Sequence, residues 1–183
     1  MKNNEELKSI LKSTLVTYPD FPKPGIFFKD ICPLLANPDL LAKVIEYFSV
    51  ACVQQRVDAV LGIESRGFLF GVPLAQKLKL PFVPLRKKGK LPGPIFSQEY
   101  ALEYGTDSLE IQRNDSLLHK NVVIIDDVMA TGGTALASAK LAKQAGANVT
   151  LLSFFLELGF LGGRDPILGE FPELMIDSLL LEI

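Results

Sequence analysis

Two adjacent carboxylates, Asp126 and Asp127, stand at the end of the apolar run Val122 to Ile125. Ionised carboxylates accept hydrogen bonds, so the pair suits the hydroxyls of a sugar. Val128, Met129 and Ala130 come next, then Thr131-Gly132-Gly133-Thr134 and a helix-forming segment. Free backbone N–H groups and the dipole at a helix start favour an anion, which places a phosphate on this turn. A second cluster is Glu64-Ser65-Arg66-Gly67, reached from the apolar run Asp58 to Ile63. Its arginine can fork onto phosphate oxygens. A third, Arg86-Lys87-Lys88-Gly89-Lys90, puts four positive charges in five residues and suits a polyanion. Residues 103–107 add a further carboxylate, Glu103. Phe27 and Phe28, with Lys29 beside them, are candidates to stack on a flat aromatic ligand.

Those groups need a scaffold that brings three strand ends together. Asp58–Ile63, Leu80–Leu85, Val122–Ile125, Asn148–Phe155 and Leu174–Leu181 read as strands, the first and third as buried ones and the last as strongly apolar. Helical spacing is expected over residues 4–16, from Asn37 as N-cap with Pro38 at the first helical position to about Gln55, over 68–78 with Pro73 near the first turn, and over 135–145. Residues 158–164 are expected to be irregular or one short helix. The sum is an α/β chain of about five parallel strands flanked by helices, whose strand ends share one ligand-binding edge. Ser97–Leu102 and Ser108–Gln112, around residues 103–107, read as a hairpin that is polar on both faces and projects. Three prolines and a glycine between Tyr18 and Ile31 forbid a regular helix or central strand there. That aromatic segment either lids the core or walls a flat ligand.

The whole is expected to be one domain of 183 residues. Residues 1–35 form the N-terminal helix and a small hood, and 93–114 a flexible hairpin. A net charge of −2 gives no global sign of nucleic-acid or membrane binding. The polar start MKNNEELKSI does not read as a secretory signal and no apolar run approaches a membrane span, so a cytoplasmic location is expected. Cys32 and Cys52 lie in apolar surroundings without metal-ligand spacing and read as free, buried thiols.

A ligand with a phosphate at one end, a diol in the middle and a diphosphate at the other would use all three clusters. That describes phosphoribosyl diphosphate, which normally travels with a divalent cation such as magnesium held mostly by water. The stretch from Val122 to Thr134 closely resembles the phosphoribosyl diphosphate-binding motif of the type I phosphoribosyltransferases. Phe21 to Ile31, Glu64 to Gly71, Arg86 to Gly93 and Leu102-Glu103-Tyr104-Gly105 are also similar, so the likeness runs from about residue 18 to 156 in the family's order. The Ala-Thr-Gly-Gly-Thr ending and the Leu-Glu-Tyr-Gly hairpin resemble the family's adenine phosphoribosyltransferases.

The resemblance implies a homodimeric enzyme of purine salvage that joins adenine to phosphoribosyl diphosphate, giving AMP and diphosphate, with Mg2+ as cofactor. It implies that Ala130, Thr131, Gly132, Gly133 and Thr134 hold the 5′-phosphate while Asp126 and Asp127 hold the ribose. Glu64, Ser65, Arg66, Gly67, Arg86, Lys87 and Lys90 would face the diphosphate. Ile26, Phe27, Phe28, Lys29, Glu103 and Tyr104 would face adenine, with Glu103, Arg66 and Arg86 taking part in catalysis. No side chain is expected to ligate the metal directly. Many members carry arginine where this chain has Lys29, and lysine cannot fork in the same way. Another purine base, or a purine-responsive binding protein on the same fold, is the alternative. The binding protein would need a DNA-binding extension, and residues 1–17 offer one short helix. Neither a G-x-G-x-x-G after the first strand nor a P-loop is present.

Overall fold

The computed structural model describes residues 2–102 and 105–183, with side chains for 4–100 and 106–183. The chain divides into two compact units, Met1–Tyr47 and Phe48–Ile183.

In the first unit, helix α1 (Lys2–Thr14) turns Leu7 and Leu11 inward, four residues apart on one face. Strands β1 (Val16–Pro19) and β2 (Phe27–Asp30) pair antiparallel as a two-stranded ribbon of their own. Pro22 and Pro24 fall in the loop between them, and Pro19 is the last residue of β1, at the end of the ladder. Asp20 Oδ1 accepts from the Gly25 N–H at 2.7 Å, and the Phe21 ring meets Phe28 edge-on at 5.2 Å. A four-residue helix α2 (Cys32–Leu35) follows and buries Leu34. Cys32 is exposed in its first turn, which corrects the expectation of a buried thiol. Helix α3 (Pro38–Gln54) starts where expected, with Asn37 Oδ1 accepting from the Leu40 N–H at 3.0 Å.

The second unit is built on a seven-stranded sheet. Its elements are β3 (Ala59–Ile63), α4 (Gly67–Leu78), β4 (Phe82–Lys87), β5 (Ile95–Leu102), β6 (Gly105–Gln112), β7 (Asn121–Met129), α5 (Gly133–Gln144), β8 (Asn148–Leu158), α6 (Arg164–Glu170) and β9 (Met175–Glu182). The strand order is β5-β6-β4-β3-β7-β8-β9, and the five strands from β4 to β9 in that order run parallel. A parallel strand covered on both faces must be apolar throughout, and β3 is buried along its whole length. Leu61, Ile63, Val122 and Ile124 pack with Ala135, Ala139 and Leu141 of α5. On α4, Phe70 stacks on Phe155 of β8, with ring centroids 5.5 Å apart. Cys52 is buried, and that burial, together with the nearby Asp177 charge, pushes its thiol up to about 12.

Two features differ from the sequence expectation. Pro73 is the seventh residue of α4, and the helix continues through it. The hairpin is polar only in part. Leu109 and Ile111 of β6 are fully buried, and β6 joins β4 through the pairs Arg86↔Glu110 and Lys87↔Leu109. Among the described residues, Phe82 to Leu85 of β4 pair with β3 alone, which leaves room for Pro84.

Close approach of α4 to β7 depends on Gly67. A Cβ there would stand 2.5 Å from the Ile125 carbonyl oxygen and 3.1 Å from Asp126 Oδ1. Gly67→Ala is therefore expected to destabilise the fold by about 1–3 kcal/mol, read as a lower urea midpoint at unchanged slope. Wild-type stability in that variant would mean that α4 can lift from β7 freely.

Candidate functional site

The buried strand β7 ends in Asp126 and Asp127, so apolar packing carries two acids to the carboxyl edge of the sheet. Asp127 is 4% exposed and Asp126 is half-buried. The Asp127 N–H donates to Asp126 Oδ1 at 2.9 Å. Arg66, one residue before α4, brings its Nε to 2.8 Å from Asp127 Oδ2. That oxygen gains charge compensation without an aligned hydrogen bond and, among the described residues, is otherwise unpartnered. Burial, then the neighbouring Asp127 charge, pushes the Asp126 carboxyl well up. Burial also raises Asp127, while the Arg66 charge pulls it down.

Immediately beyond lies a cavity of about 90 Å³ lined by Asp126, residues 128–135 and Phe154. Gly132 is the N-cap of α5 at φ 81°, a left-handed conformation that glycine adopts readily. It carries no capping side chain, so the first-turn N–H groups of α5 have no side-chain acceptor. Thr131 and Thr134 add hydroxyl donors to the same cavity. A tetrahedral oxyanion matches this set of donors.

The basic loop is held by acids behind it. Arg86 Nε and the Lys87 N–H both donate to Glu64 Oε2, at 3.0 and 2.8 Å. The Arg86 hydrogen bond, more than any other contact, lowers the Glu64 carboxyl. The Gly89 N–H donates to Glu110 Oε2 at 2.9 Å, and Glu110 is buried. Glu64 thus ties the Arg66 turn to the Arg86–Lys90 loop, while the outer lysines, Lys87, Lys88 and Lys90, stay exposed. The Glu64–Ser65 peptide is cis.

The structure therefore brings together Asp126, Asp127, residues 130–134, Arg66 and Glu64, with Arg86 and Lys87 joined to them through Glu64. Glu103 and Tyr104 lie outside the described residues. Ile26, Phe27, Phe28 and Lys29 belong to the ribbon of the first unit, where Phe27 is 65% exposed.

Some neighbours were missed by sequence reasoning. Tyr100 lies opposite Asp107, and its hydroxyl donates to Asp107 Oδ2 at 3.4 Å. Burial, then the Asp107 charge, raises the Tyr100 hydroxyl, opposed by a hydrogen bond with Thr134. Asp107 Oδ2 also lies 4.0 Å from Lys87 Nζ. On sequence grounds residues 103–107 formed the turn, which hid this pairing; the observed register pairs Tyr100 with Asp107 and runs on to Leu102↔Gly105. Gly163 packs directly behind Ala130 and Gly132, and Phe160 is 64% exposed just beyond β8. Only the glycine content of residues 158–164 hinted at a close approach.

Asp126→Asn separates the sugar-binding role from folding. A raised acid opposes folding more as pH climbs through its shifted value, because the unfolded chain ionises first. The variant is expected to melt at a higher temperature than wild type at pH 7 and to lose that advantage below pH 4. An equal or lower melting temperature at pH 7 would contradict the strain assigned to the pair.

Comparison with known proteins agrees with this geometry. The phosphoribosyl transferase domain family matches residues 33–155. An adenine phosphoribosyltransferase of Synechococcus sp. (strain CC9902) is 49% identical over 170 residues, covering 93% of this chain and 95% of the relative. The crystal structure of adenine phosphoribosyltransferase from Saccharomyces cerevisiae, complexed with an imino-altritol bisphosphate and adenine, superposes with a TM-score of 0.89. It is 42% identical and covers 96% of this chain and 99% of its own. The Trypanosoma brucei adenine phosphoribosyl transferase, in complex with AMP, pyrophosphate and ribose-5-phosphate, gives a TM-score of 0.88 at 30% identity. That match covers 96% of this chain and 80% of the other.

Proposed function

The chain belongs to the phosphoribosyltransferase family, among the adenine phosphoribosyltransferases, and we propose that it transfers the 5-phosphoribosyl group of phosphoribosyl diphosphate to adenine, giving AMP and diphosphate. The observation that carries this reading is the uncapped α5 start beside a buried and a half-buried carboxylate, with Arg66 on one of them and Glu64 tying the Arg66 turn to a basic loop. One edge thereby offers a phosphate cradle, acceptors for a diol and a second anion site.

In the reaction a bond forms between a ring nitrogen of adenine and the anomeric carbon. The bond to diphosphate breaks, and its electron pair leaves with the diphosphate. The sugar gains oxocarbenium character between the two events. Backbone N–H groups of Ala130 to Gly133 and the Thr131 and Thr134 hydroxyls hold the 5′-phosphate. Asp126 and Asp127 accept from the ribose hydroxyls, orient the sugar and favour positive charge on it. Arg66, with the backbone of Glu64, Ser65 and Gly67, grips the diphosphate. Arg86, Lys87 and Lys90 neutralise its growing charge as it departs. The Glu64 side chain keeps Arg86 in place.

The hood residues Ile26, Phe27, Phe28 and Lys29, with Tyr104, hold adenine. Glu103 manages the proton on the base, a contribution typically of about 10²–10⁴-fold. Mg2+ fits here as a hydrated ion: Asp126 and Asp127 add negative charge beside the place of the ribose without ligating it directly, and Arg66 already compensates one of them. Among the described residues no group of three or more His, Cys, Asp and Glu side chains is gathered for a metal. The ion would be held mainly by substrate and water, where it supplies charge neutralisation to the diphosphate. Among the described residues no helix is long and apolar enough to cross a membrane. A homodimer working in the cytoplasm completes the reading.

The direct test mixes the protein with phosphoribosyl diphosphate, Mg2+ and, in turn, adenine, hypoxanthine, guanine and xanthine. AMP from adenine, with little product from the other bases, is expected. Absence of AMP at every magnesium concentration would sink the proposal. In Glu103→Leu, turnover is expected to fall by about 10²-fold or more with binding of phosphoribosyl diphosphate preserved. Intact turnover would remove Glu103 from proton handling.

A further inference from the structure

The phosphate cradle packs backbone against backbone at Gly132. A Cβ on Gly132 would collide with the Gly163 carbonyl oxygen, and a Cβ on Gly163 would collide with the Ala130 carbonyl oxygen and stand 3.1 Å from the Gly132 nitrogen. Two stretches of backbone therefore lie in direct contact, one carrying the cradle and the other serving as its rear wall. Close-packed backbone transmits a displacement, because it has no rotamer to absorb it.

The rear wall is anchored by the next residue. Arg164 opens α6, and its guanidinium forks onto Glu157, with Nε to Oε1 at 2.7 Å and Nη2 to Oε2 at 2.7 Å. Its Nη1 donates to the Ile176 carbonyl of β9 at 3.2 Å. The Ser178 hydroxyl, also on β9, donates to Glu157 Oε2 at 2.6 Å. Glu157 is 4% exposed near the end of β8, and the Arg164 hydrogen bond holds its carboxyl below the usual range. A bidentate pair fixes the relative orientation of its two side chains, and losing the half-exposed Arg164 would leave the buried Glu157 carboxylate without compensation. A separate ion pair joins α5 to α6, Lys140 Nζ to Glu170 Oε2 at 2.7 Å; neither partner is buried, and it is weak by comparison.

We propose that the Glu157–Arg164 pair positions the phosphate-binding turn by pinning Gly163 against Ala130 and Gly132, so that it sets affinity for the 5′-phosphate without touching substrate. The inference rests on the reading of residues 130–134 as a phosphate cradle. Arg164 and Glu157 are positioning residues, and their effect passes through backbone contact alone.

Two variants probe the two halves of this route. Arg164→Lys keeps the charge and removes the fork. Gly163→Ala leaves the ion pair intact; because Gly163 sits at φ −60°, alanine there tests space and not backbone conformation. AMP binding is measured by calorimetry, alongside the KM for phosphoribosyl diphosphate, the KM for adenine, kcat and the circular dichroism spectrum. Both variants are expected to bind AMP about tenfold more weakly, with KM for phosphoribosyl diphosphate rising in parallel. Both should keep kcat at saturation, KM for adenine and the spectrum within about twofold of wild type. Lys140→Ala, which cuts only that separate ion pair, is expected to match wild type throughout.

Wild-type AMP affinity in either Arg164→Lys or Gly163→Ala overturns the inference, as does a fall in melting temperature alone. If Arg164→Lys does not fold, Glu157→Asp, which keeps the charge and shortens the reach, takes its place under the same outcomes. A wild-type protein that binds no AMP would sink the transferase reading itself. Normal wild-type binding with unaffected variants would sink this inference alone.

Discussion

Asp126 and Asp127 are held side by side at the end of a strand whose preceding residues, Val122 to Ile125, are wholly buried. Desolvation works against both charges, and each charge works against the other. The strand cannot retreat, because its apolar residues form the middle of the sheet, and the acids cannot part, because they are consecutive. Arg66 relieves Asp127 at 2.8 Å, and the Asp127 N–H relieves Asp126 at 2.9 Å. What remains is an excess of acceptor capacity and negative potential facing one small cavity. Sugar hydroxyls, or a sugar taking on positive charge, meet that demand.

Much of the surrounding structure follows from serving this pair. Gly67 carries no side chain, so the Arg66 turn can reach the end of β7. Glu64, one turn away, hands the connection on to Arg86 and Lys87. The helix after the acids begins without a capping side chain, which puts unsatisfied donors next to unsatisfied acceptors. Phosphate and diol sites are thus neighbours because strand, turn and helix are consecutive in the chain. The anion site for diphosphate is a neighbour because parallel strands deliver their ends to one edge.

How much of this was legible depended on range. The motif from Asn121 to Thr134 is local: an apolar β-branched run, two acids and a Gly-Gly turn report strand, site and helix start within fourteen residues. Asn37 as a helix cap and the five parallel strands were equally readable from spacing. The Arg66–Asp127 contact was not, because sequence assigned each residue to a different part of the ligand and only strand order makes them adjacent. The polar look of the hairpin hid Leu109 and Ile111, whose burial depends on β6 pairing with β4. Tyr100 and Asp107 needed the register, and Gly163 needed α6 to fold back on the turn. Cys32 had apolar neighbours in sequence, yet a four-residue helix turned it outward.

The central claim is that the α5 turn takes the 5′-phosphate while the two aspartates take the ribose. A crystal structure of the protein with AMP tests it most directly. The phosphate is expected on the N–H groups and hydroxyls of residues 130–134, with the ribose hydroxyls on Asp126 and Asp127. A phosphate on the Arg86–Lys90 loop, with the aspartates facing no sugar oxygen, would contradict it.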